Sequence, residues 1–422
     1  MIFFIMHKLI LLLFFGAVAG VSHAQESAHF GAAKYVPKDG KKLLILGQDL
    51  GAVGGLDTHR DGYVDNLDQV PAGVTTYTSI PSLSGLQGYT NWGAGDINAQ
   101  AYLEDADFDY SVIAIGLYVN GELRNIRDGF WNHKLRTLAG WIKDSSRPVF
   151  LRIGYEFDGP WNGLDPEEYV EAWQHIVHVF DSEQVRNVAY VWQSAGINTS
   201  NIERWYPGDA YVNWVGYSHF DGQNIGQSIR QFADEHDKPI MIAEATPRGR
   251  DLENAVGQSV WDQWFDPLFT SINSNEKIKA LAYINADWDA QPMWSGQGWG
   301  DSRIQVNSYV EEQWRDEIEN NNWLLSDEHL FEALRFDFWE DYVLATIDEE
   351  HLRIAIDDRK IRITFPVNPV SVTIYNLNGK KLFAQEVINN EVIVETKGLQ
   401  ESLLVTHIQI GSQLMIRKIY VR

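Results

Sequence analysis

From residue 40 to about residue 320 the chain repeats one pattern: a short apolar run, a polar loop, then apolar residues at three- and four-residue spacing. The apolar runs are Leu43–Gly47, Gly73–Tyr77, Val112–Leu117, Val149–Gly154, Val188–Trp192, Trp214–Ser218, Pro239–Ala243 and Ala280–Asn285. Their starts lie about 25 to 40 residues apart, the period of a strand–loop–helix unit. Most are apolar at consecutive positions, which fits parallel strands covered on both faces. Among the helical stretches Pro166–Phe180 is the clearest. Asp165 offers an N-cap, Pro166 suits the first helical position, and Tyr169, Trp173, Ile176 and Phe180 fall on one face. Ile225–His236 and Trp261–Ile272 follow the same rule. Eight such units predict an α/β fold of the (β/α)8 TIM-barrel type, with its working residues at the C-terminal strand ends.

After about residue 340 the pattern changes to alternation and turns: Leu352–Asp357, Lys360–Pro366, Val372–Tyr375, a turn at Asn376–Gly379, then Lys381–Phe383 and Ile416–Val421. This predicts a small C-terminal antiparallel β domain, read as a β-sandwich over 341–422. At the other end Lys8, the apolar stretch Leu9–Val21 and Ser22-His-Ala24 read as a signal peptide over 1–24. That stretch is too short to span a bilayer, and no later run reaches the ~20 residues needed. The expected product is a secreted or cell-surface protein with its barrel over 25–340.

Two glutamates stand out against this frame. Glu156 and Glu244 each follow an apolar run and open a loop, in Arg152-Ile-Gly-Tyr-Glu156 and Ala243-Glu-Ala-Thr-Pro247. A carboxylate at the tip of a buried strand is expensive to desolvate and contributes nothing to packing. Two of them on one barrel rim suit glycosidic cleavage, which needs a protonated acid at the leaving oxygen and a second carboxylate at the anomeric carbon. Arg152, four residues before Glu156, points the same way by alternation. Composition sharpens the picture. The chain has 16 Trp, 18 Tyr and 19 Phe, and several Trp sit in loop-like contexts, among them Trp161 and Trp294. Flat aromatic faces suit pyranose rings. A net charge of −24 argues against nucleic-acid or anionic-membrane partners. Absence of Cys excludes disulfides and thiolate chemistry. No Gly-rich phosphate loop, H-E-x-x-H or G-x-S-x-G motif is present, so no cofactor and no metal is implied. Asp57–Asp68 has acids at calcium-loop positions, but His59 breaks the pattern and a solvated loop is the simpler reading.

These motifs, with Val191-Trp-Gln-Ser-Ala-Gly196, Val212-Asn-Trp-Val-Gly-Tyr217 and Ala282-Tyr-Ile-Asn-Ala-Asp-Trp288, resemble the clan A glycoside hydrolases. The likeness is greatest to glycoside hydrolase family 26, which includes β-mannanases and β-1,3-xylanases. The resemblance implies that Glu156, ending strand four, is the acid/base and Glu244, ending strand seven, the nucleophile of a retaining enzyme. It also implies sugar contacts from Trp288 after strand eight and from Tyr217 and His219 after strand six. Trp192, Trp161, Trp294 and Asp49 complete the candidate set. Where the clan carries Asn and family 26 carries His, this chain has Tyr155, so the substrate stays open: β-mannan, β-1,3-xylan or a red-algal galactan. A transglycosylase or a non-catalytic carbohydrate-binding barrel would use the same residues. The tail, through Val372–Leu382 and Arg417–Val421, resembles type IX secretion sorting domains, which implies that secretion machinery as a partner beside the polysaccharide or oligosaccharide substrate.

Overall fold

The computed structural model describes residues 33–197, 200–220, 226–319 and 322–336, and seven strand segments between 353 and 420. The signal segment, residues 198–199 and the turn at 376–379 lie outside the described residues.

Eight parallel strands run in chain order: β1 Lys42–Gly47, β2 Gly73–Ser79, β3 Val112–Tyr118, β4 Val149–Ile153, β5 Val188–Ser194, β6 Trp214–His219, β7 Ile240–Ala245 and β8 Ile278–Ile284. Each pairs with the next, and β8 pairs back onto β1 from Leu43↔Ala280 to Gly47↔Ile284, which closes the barrel. Every strand matches an apolar run of the sequence to within two residues at each end. A short β9, Trp323–Leu324, pairs with the first residues of β1.

The inward positions divide into two layers. In the first halves of the strands Leu43, Ile45, Val112, Ala114, Phe150, Ala189, Val191, Trp214, Met241 and Ala280 form one apolar cluster. Tyr35, Leu330, Leu334 and Phe336, from segments flanking the barrel in sequence, plug its N-terminal end. Two residues further along, the inward side chains turn polar: Arg152 follows Phe150 and Gln193 follows Val191. That switch separates a packed floor from a chemically equipped mouth.

The helices are α1 Asn132–Asp144, α2 Pro166–Ser182, α3 Gln227–Glu235, α4 Asp266–Ser274 and α5 Ser308–Glu319, with shorter turns between them. In α2 Asp165 accepts from the backbone N–H groups of Glu167 and Glu168, and Tyr169, Trp173, Ile176 and Phe180 are buried. Tyr169 Oη donates to Ile153 O at 3.0 Å, which pins α2 to the end of β4. Gly154 makes that approach possible: its φ is 52°, and a Cβ there would sit 2.8 Å from the Tyr169 ring.

Two expectations need correction. The helix expected over Trp261–Ile272 is a π-turn, Trp261–Phe265, followed by α4. Pro267 has no N–H to give the carbonyl four residues back, so the hydrogen-bond ladder shifts there. The β5–β6 crossover carries two 3₁₀ turns, Ile202–Trp205 and Asp209–Tyr211, and no full helix among its described residues. The C-terminal unit contains two antiparallel sheets. Arg353–Asp357, Lys360–Thr364 and Glu391–Glu395 make one; Lys381–Val387, Val370–Tyr375, Leu403–Ile410 and Gln413–Tyr420 make the other. Among the described residues no helix is long and apolar enough to cross a membrane.

Phe150 tests the floor. It is fully buried, with edge-to-face contacts to Tyr35 at 6.0 Å and Trp214 at 5.3 Å. Phe150→Ala should lower unfolding free energy by about 3–5 kcal/mol in urea titrations.

Candidate active site

The chain leaves β4 through two residues in left-handed backbone conformation, Gly154 at φ 52° and Glu156 at φ 54°. Glycine tolerates this freely; for a glutamate the strain is about 1 kcal/mol or more. The following loop holds it there. Asn162 Nδ2 donates to the carbonyls of Tyr155 at 3.2 Å and Glu156 at 2.8 Å. Phe157 N donates to Gln193 O at 3.2 Å, and its ring stacks on Trp192 at 4.5 Å. Asp158 accepts from Ser194 Oγ at 2.8 Å and from Ala195 N at 2.7 Å. The Glu156 backbone is thereby tied to β5.

The Glu156 carboxyl is almost fully buried. Oε2 accepts from the Trp161 indole N–H at 3.0 Å. Oε1 is buried and meets no donor in good hydrogen-bond geometry. Burial pushes the carboxyl up to about 8, and the negative charge of Glu244 adds to the rise. Ser218, acting as a nearby dipole rather than a formed hydrogen bond, and Trp161 pull it partway back.

Glu244 reaches the same cleft by a different device. Met241 and Ala243 face the apolar core, so strict alternation would turn Glu244 outward. A bulge prevents this. The register of β7 slips between Tyr217↔Ile242 and Ser218↔Glu244 on one side, and between Leu281↔Ile242 and Tyr283↔Ala245 on the other. The extra residue brings Glu244 inward immediately after Ala243. Its Oε1 accepts from Arg152 Nη1 at 2.6 Å and from Tyr77 Oη at 2.9 Å. Arg152 is fully buried, and its Nη1 also donates to Gln193 Oε1 at 3.1 Å. Its Nε and Nη2 are buried without partners. The guanidinium lies 5.0 Å from the Tyr77 ring centre and 5.5 Å from that of Tyr155. Burial, then the charge of Glu244, holds the Tyr77 hydroxyl well above the usual phenol range, so it remains a donor.

Both glutamates line one cavity of about 810 Å³, together with Tyr77, Tyr155, Trp161, Trp288 and Trp294. Trp161 is 61% exposed, an uncommon state for so large an apolar ring. Opposite it Trp288, Trp294 and Trp299 pack together with ring centres 4.7 to 5.3 Å apart. Trp288 is fixed by donating to Thr246 Oγ1 and Ser302 Oγ, each at 3.1 Å. Arg248 stands 4.4 Å above Trp299. Tyr77, Trp92, Tyr118, Phe220, Arg248 and Trp299 also line the cavity and were absent from the sequence-derived set. Tyr77 was within reach of that reading, since it closes the apolar run of β2 and lies two positions after Thr75.

Other sequence candidates lie elsewhere. Arg152 sits beneath the cleft floor rather than on its wall. Trp192, Tyr217 and His219 do not line the cavity. Gln193 and Ser218 point inward and bond each other at 3.1 Å, so alternation turns these three neighbours out of the barrel. Trp192 packs between Phe157 and Phe232 and donates to Trp205 O at 3.1 Å. Tyr217 lies against Gly226. His219 packs at 5.5 Å on Trp264, and burial lowers it to about 4. Asp49 caps the turn Leu50–Val53 through Ala52 N at 3.1 Å and accepts from Gln291 Nε2 at 3.1 Å. Burial raises it to about 6, but it too lies off the cavity wall. In the acidic loop 57–68, Asp57 pairs with Arg60, and Asp65 accepts from Gly55 N at 2.9 Å and Gly62 N at 3.1 Å. Among the described residues no group of His, Asp or Glu is arranged to hold a metal ion.

Known proteins resemble this chain in sequence and in fold. Residues 125–286, a span containing both glutamates, match the profile of glycosyl hydrolase family 26. A β-1,3-xylanase from Alcaligenes sp is 32% identical over 349 residues, covering 76% of this chain and 72% of that protein. The β-1,3-xylanase TXYA from Vibrio sp is 31% identical over 348 residues, 76% of this chain and 74% of the relative. In fold, a modular endo-β-1,4-mannanase from Cellulomonas fimi superposes with a TM-score of 0.51 at 16% identity, over 94% of this chain and 97% of that one. The profile match, the extent of the xylanase alignments and the closed barrel agree: the chain belongs to glycosyl hydrolase family 26 and is a glycoside hydrolase.

Proposed function

We propose that the cleft hydrolyses a β-linked polysaccharide by double displacement, with Glu156 as acid/base and Glu244 as nucleophile. One observation carries this reading: the two carboxylates share a cleft but sit in opposite surroundings. Glu156 is buried against an unpartnered oxygen and stays protonated to about pH 8. Glu244 faces a guanidinium at 2.6 Å and a phenol hydroxyl at 2.9 Å, both of which donate to a negative oxygen. Opposed environments of this kind separate an acid from a nucleophile. Glu156 gives its proton to the departing glycosidic oxygen as Glu244 attacks the anomeric carbon; ionised Glu156 then takes a proton from the water that releases the sugar. Trp161 and Trp294 offer ring faces, with buried Trp288 behind Trp294, and Tyr155 offers a hydroxyl for neighbouring sugars.

The substrate best supported is a β-1,3-xylan, cleaved internally. The relatives aligned over three quarters of the chain are β-1,3-xylanases. Export by the N-terminal segment fits a polymeric substrate outside the cell, and the sheets of the C-terminal unit fit a β-sandwich of sorting-domain type. On a panel of β-1,3-xylan, β-mannan and red-algal galactan, reducing ends should appear on β-1,3-xylan, and mass spectrometry should show short oligosaccharides. With a short oligosaccharide as substrate, products longer than that substrate would favour transglycosylation, and no turnover on any polymer would favour a binding barrel.

Glu244→Ala should lower kcat by at least about 10⁴-fold with the circular dichroism spectrum unchanged. Normal hydrolysis by that variant removes Glu244 from the mechanism.

Glu156 also ties activity to pH. Its loss of the proton should bring kcat/KM down above about pH 8. The same group sets a stability trend. Folded Glu156 keeps its proton up to about 8, whereas the unfolded chain releases it near the ordinary 4.5. Between those values the folded state binds the extra proton, so stability falls as pH rises. Glu156→Gln should therefore gain Tm over the wild type as pH is raised from about 5 to 9, while losing activity on polysaccharide. An equal Tm difference at both ends would contradict the buried, protonated state.

A further inference from the structure

A carboxylate nucleophile has two oxygens, and the surroundings of Glu244 treat them differently. Arg152 Nη1 at 2.6 Å and Tyr77 Oη at 2.9 Å converge on the same atom, Oε1. Among the described residues no hydrogen bond reaches Oε2, and Oε2 is not one of the sealed, unpartnered atoms of the interior. Both anchors therefore fall on Oε1, and Oε2 of this cleft-lining residue carries no such anchor among the described residues.

We propose that Tyr77, on β2, is a positioning residue of the displacement, and that with Arg152 it holds Oε1 of Glu244 so that Oε2 is the atom that bonds the sugar. This rests on the double-displacement reading above and adds to it an atom and a residue. The Tyr77 hydroxyl comes from β2, while Tyr217 at the end of β6 points out of the barrel. Its ring has one place to go. A Cβ on Gly116 would lie 2.6 Å from Tyr77 Cδ1, and the Tyr155 ring meets Tyr77 edge-on at 5.4 Å. A short glycine on β3 and an aromatic wall thus aim the hydroxyl at Glu244.

The bonding follows. As the C1–O bond to the leaving sugar breaks, the leaving oxygen takes the Glu156 proton and Oε2 forms a bond to C1. Oε1 becomes the carbonyl oxygen of the ester, still able to accept from Tyr77. Negative charge passes from Glu244 to Glu156, so the total charge of the site is unchanged, and Arg152 stays a cation beside Glu244 throughout. In the second half water attacks C1 and gives a proton to ionised Glu156, the C1–Oε2 bond breaks, and the electron pair returns to a carboxylate already held in place. Holding one oxygen rigid removes rotation of the carboxylate as a cost of reaching the transition state.

Two experiments on the full chain test this. First, the enzyme is trapped with the 2-deoxy-2-fluoro β-glycosyl fluoride of whichever sugar the wild type releases, and the adduct is crystallised. The expected structure has C1 bonded to Oε2 of Glu244, with Tyr77 Oη still within hydrogen-bond distance of Oε1. A bond to Oε1, or a detached Tyr77, would overturn the assignment. Labelling of a residue other than Glu244 would instead remove the underlying reading. Second, Tyr77→Phe keeps the ring and deletes the donor. It should lower kcat and the trapping rate by about 10- to 100-fold and leave KM within about twofold. A folded Tyr77→Phe protein with wild-type kcat and trapping rate contradicts the proposal, because a residue that only packed would leave both in place.

Discussion

The buried ion pair between Arg152 and Glu244 is the constraint on which the mouth of this barrel depends. Arg152 is wholly enclosed and Glu244 nearly so, and their 2.6 Å contact crosses from β4 to β7. Either charge alone in that position would be costly; breaking such a pair by removing one partner typically costs about 3–5 kcal/mol. The pair therefore demands that β4 and β7 keep their register. It also explains the chemistry of its neighbours. Gln193, Tyr77 and the Tyr155 ring are gathered around the guanidinium, and the β7 bulge exists where Glu244 must turn inward to meet it.

Glu156 is governed by the opposite condition. Among the described residues no cation pairs with it, its backbone is strained, and one oxygen lacks a formed partner. The protein meets that strain with packing: Phe157, Trp192 and Trp205 stack beneath the loop, and Asp158 and Asn162 lock its backbone. The aromatic residues thus divide into two sets. One set, with Trp192 at its centre, stabilises the loop from outside the barrel. The other, with Trp161 and Trp294, presents surface to the cleft, and buried Trp288 backs Trp294.

Much of this was legible in the sequence. Continuous apolar runs located all eight strands because both faces of a parallel barrel strand are covered. Asp165 and Pro166 marked the start of α2 because capping chemistry is local. The two glutamates were visible because a carboxylate ending an apolar run has no packing role. What stayed hidden depends on partners distant in the chain. The β7 bulge is a relation among three strands, and without it alternation would send Glu244 outward. Trp192, Tyr217 and His219 lie near strand ends, but nearness to a strand end does not say which face a residue occupies. Alternation with Gln193 and Ser218 turns these three away from the cavity. Tyr77 was overlooked because its meaning comes from Glu244, on the opposite side of the barrel.

The most direct test of two glutamates working by double displacement is the anomeric configuration of the first product. Proton NMR during hydrolysis of a defined β-linked oligosaccharide should show the β anomer forming first, with the α anomer growing in only by mutarotation. An α anomer appearing first would mean a single inverting displacement by water, and Glu244 would not be the attacking group.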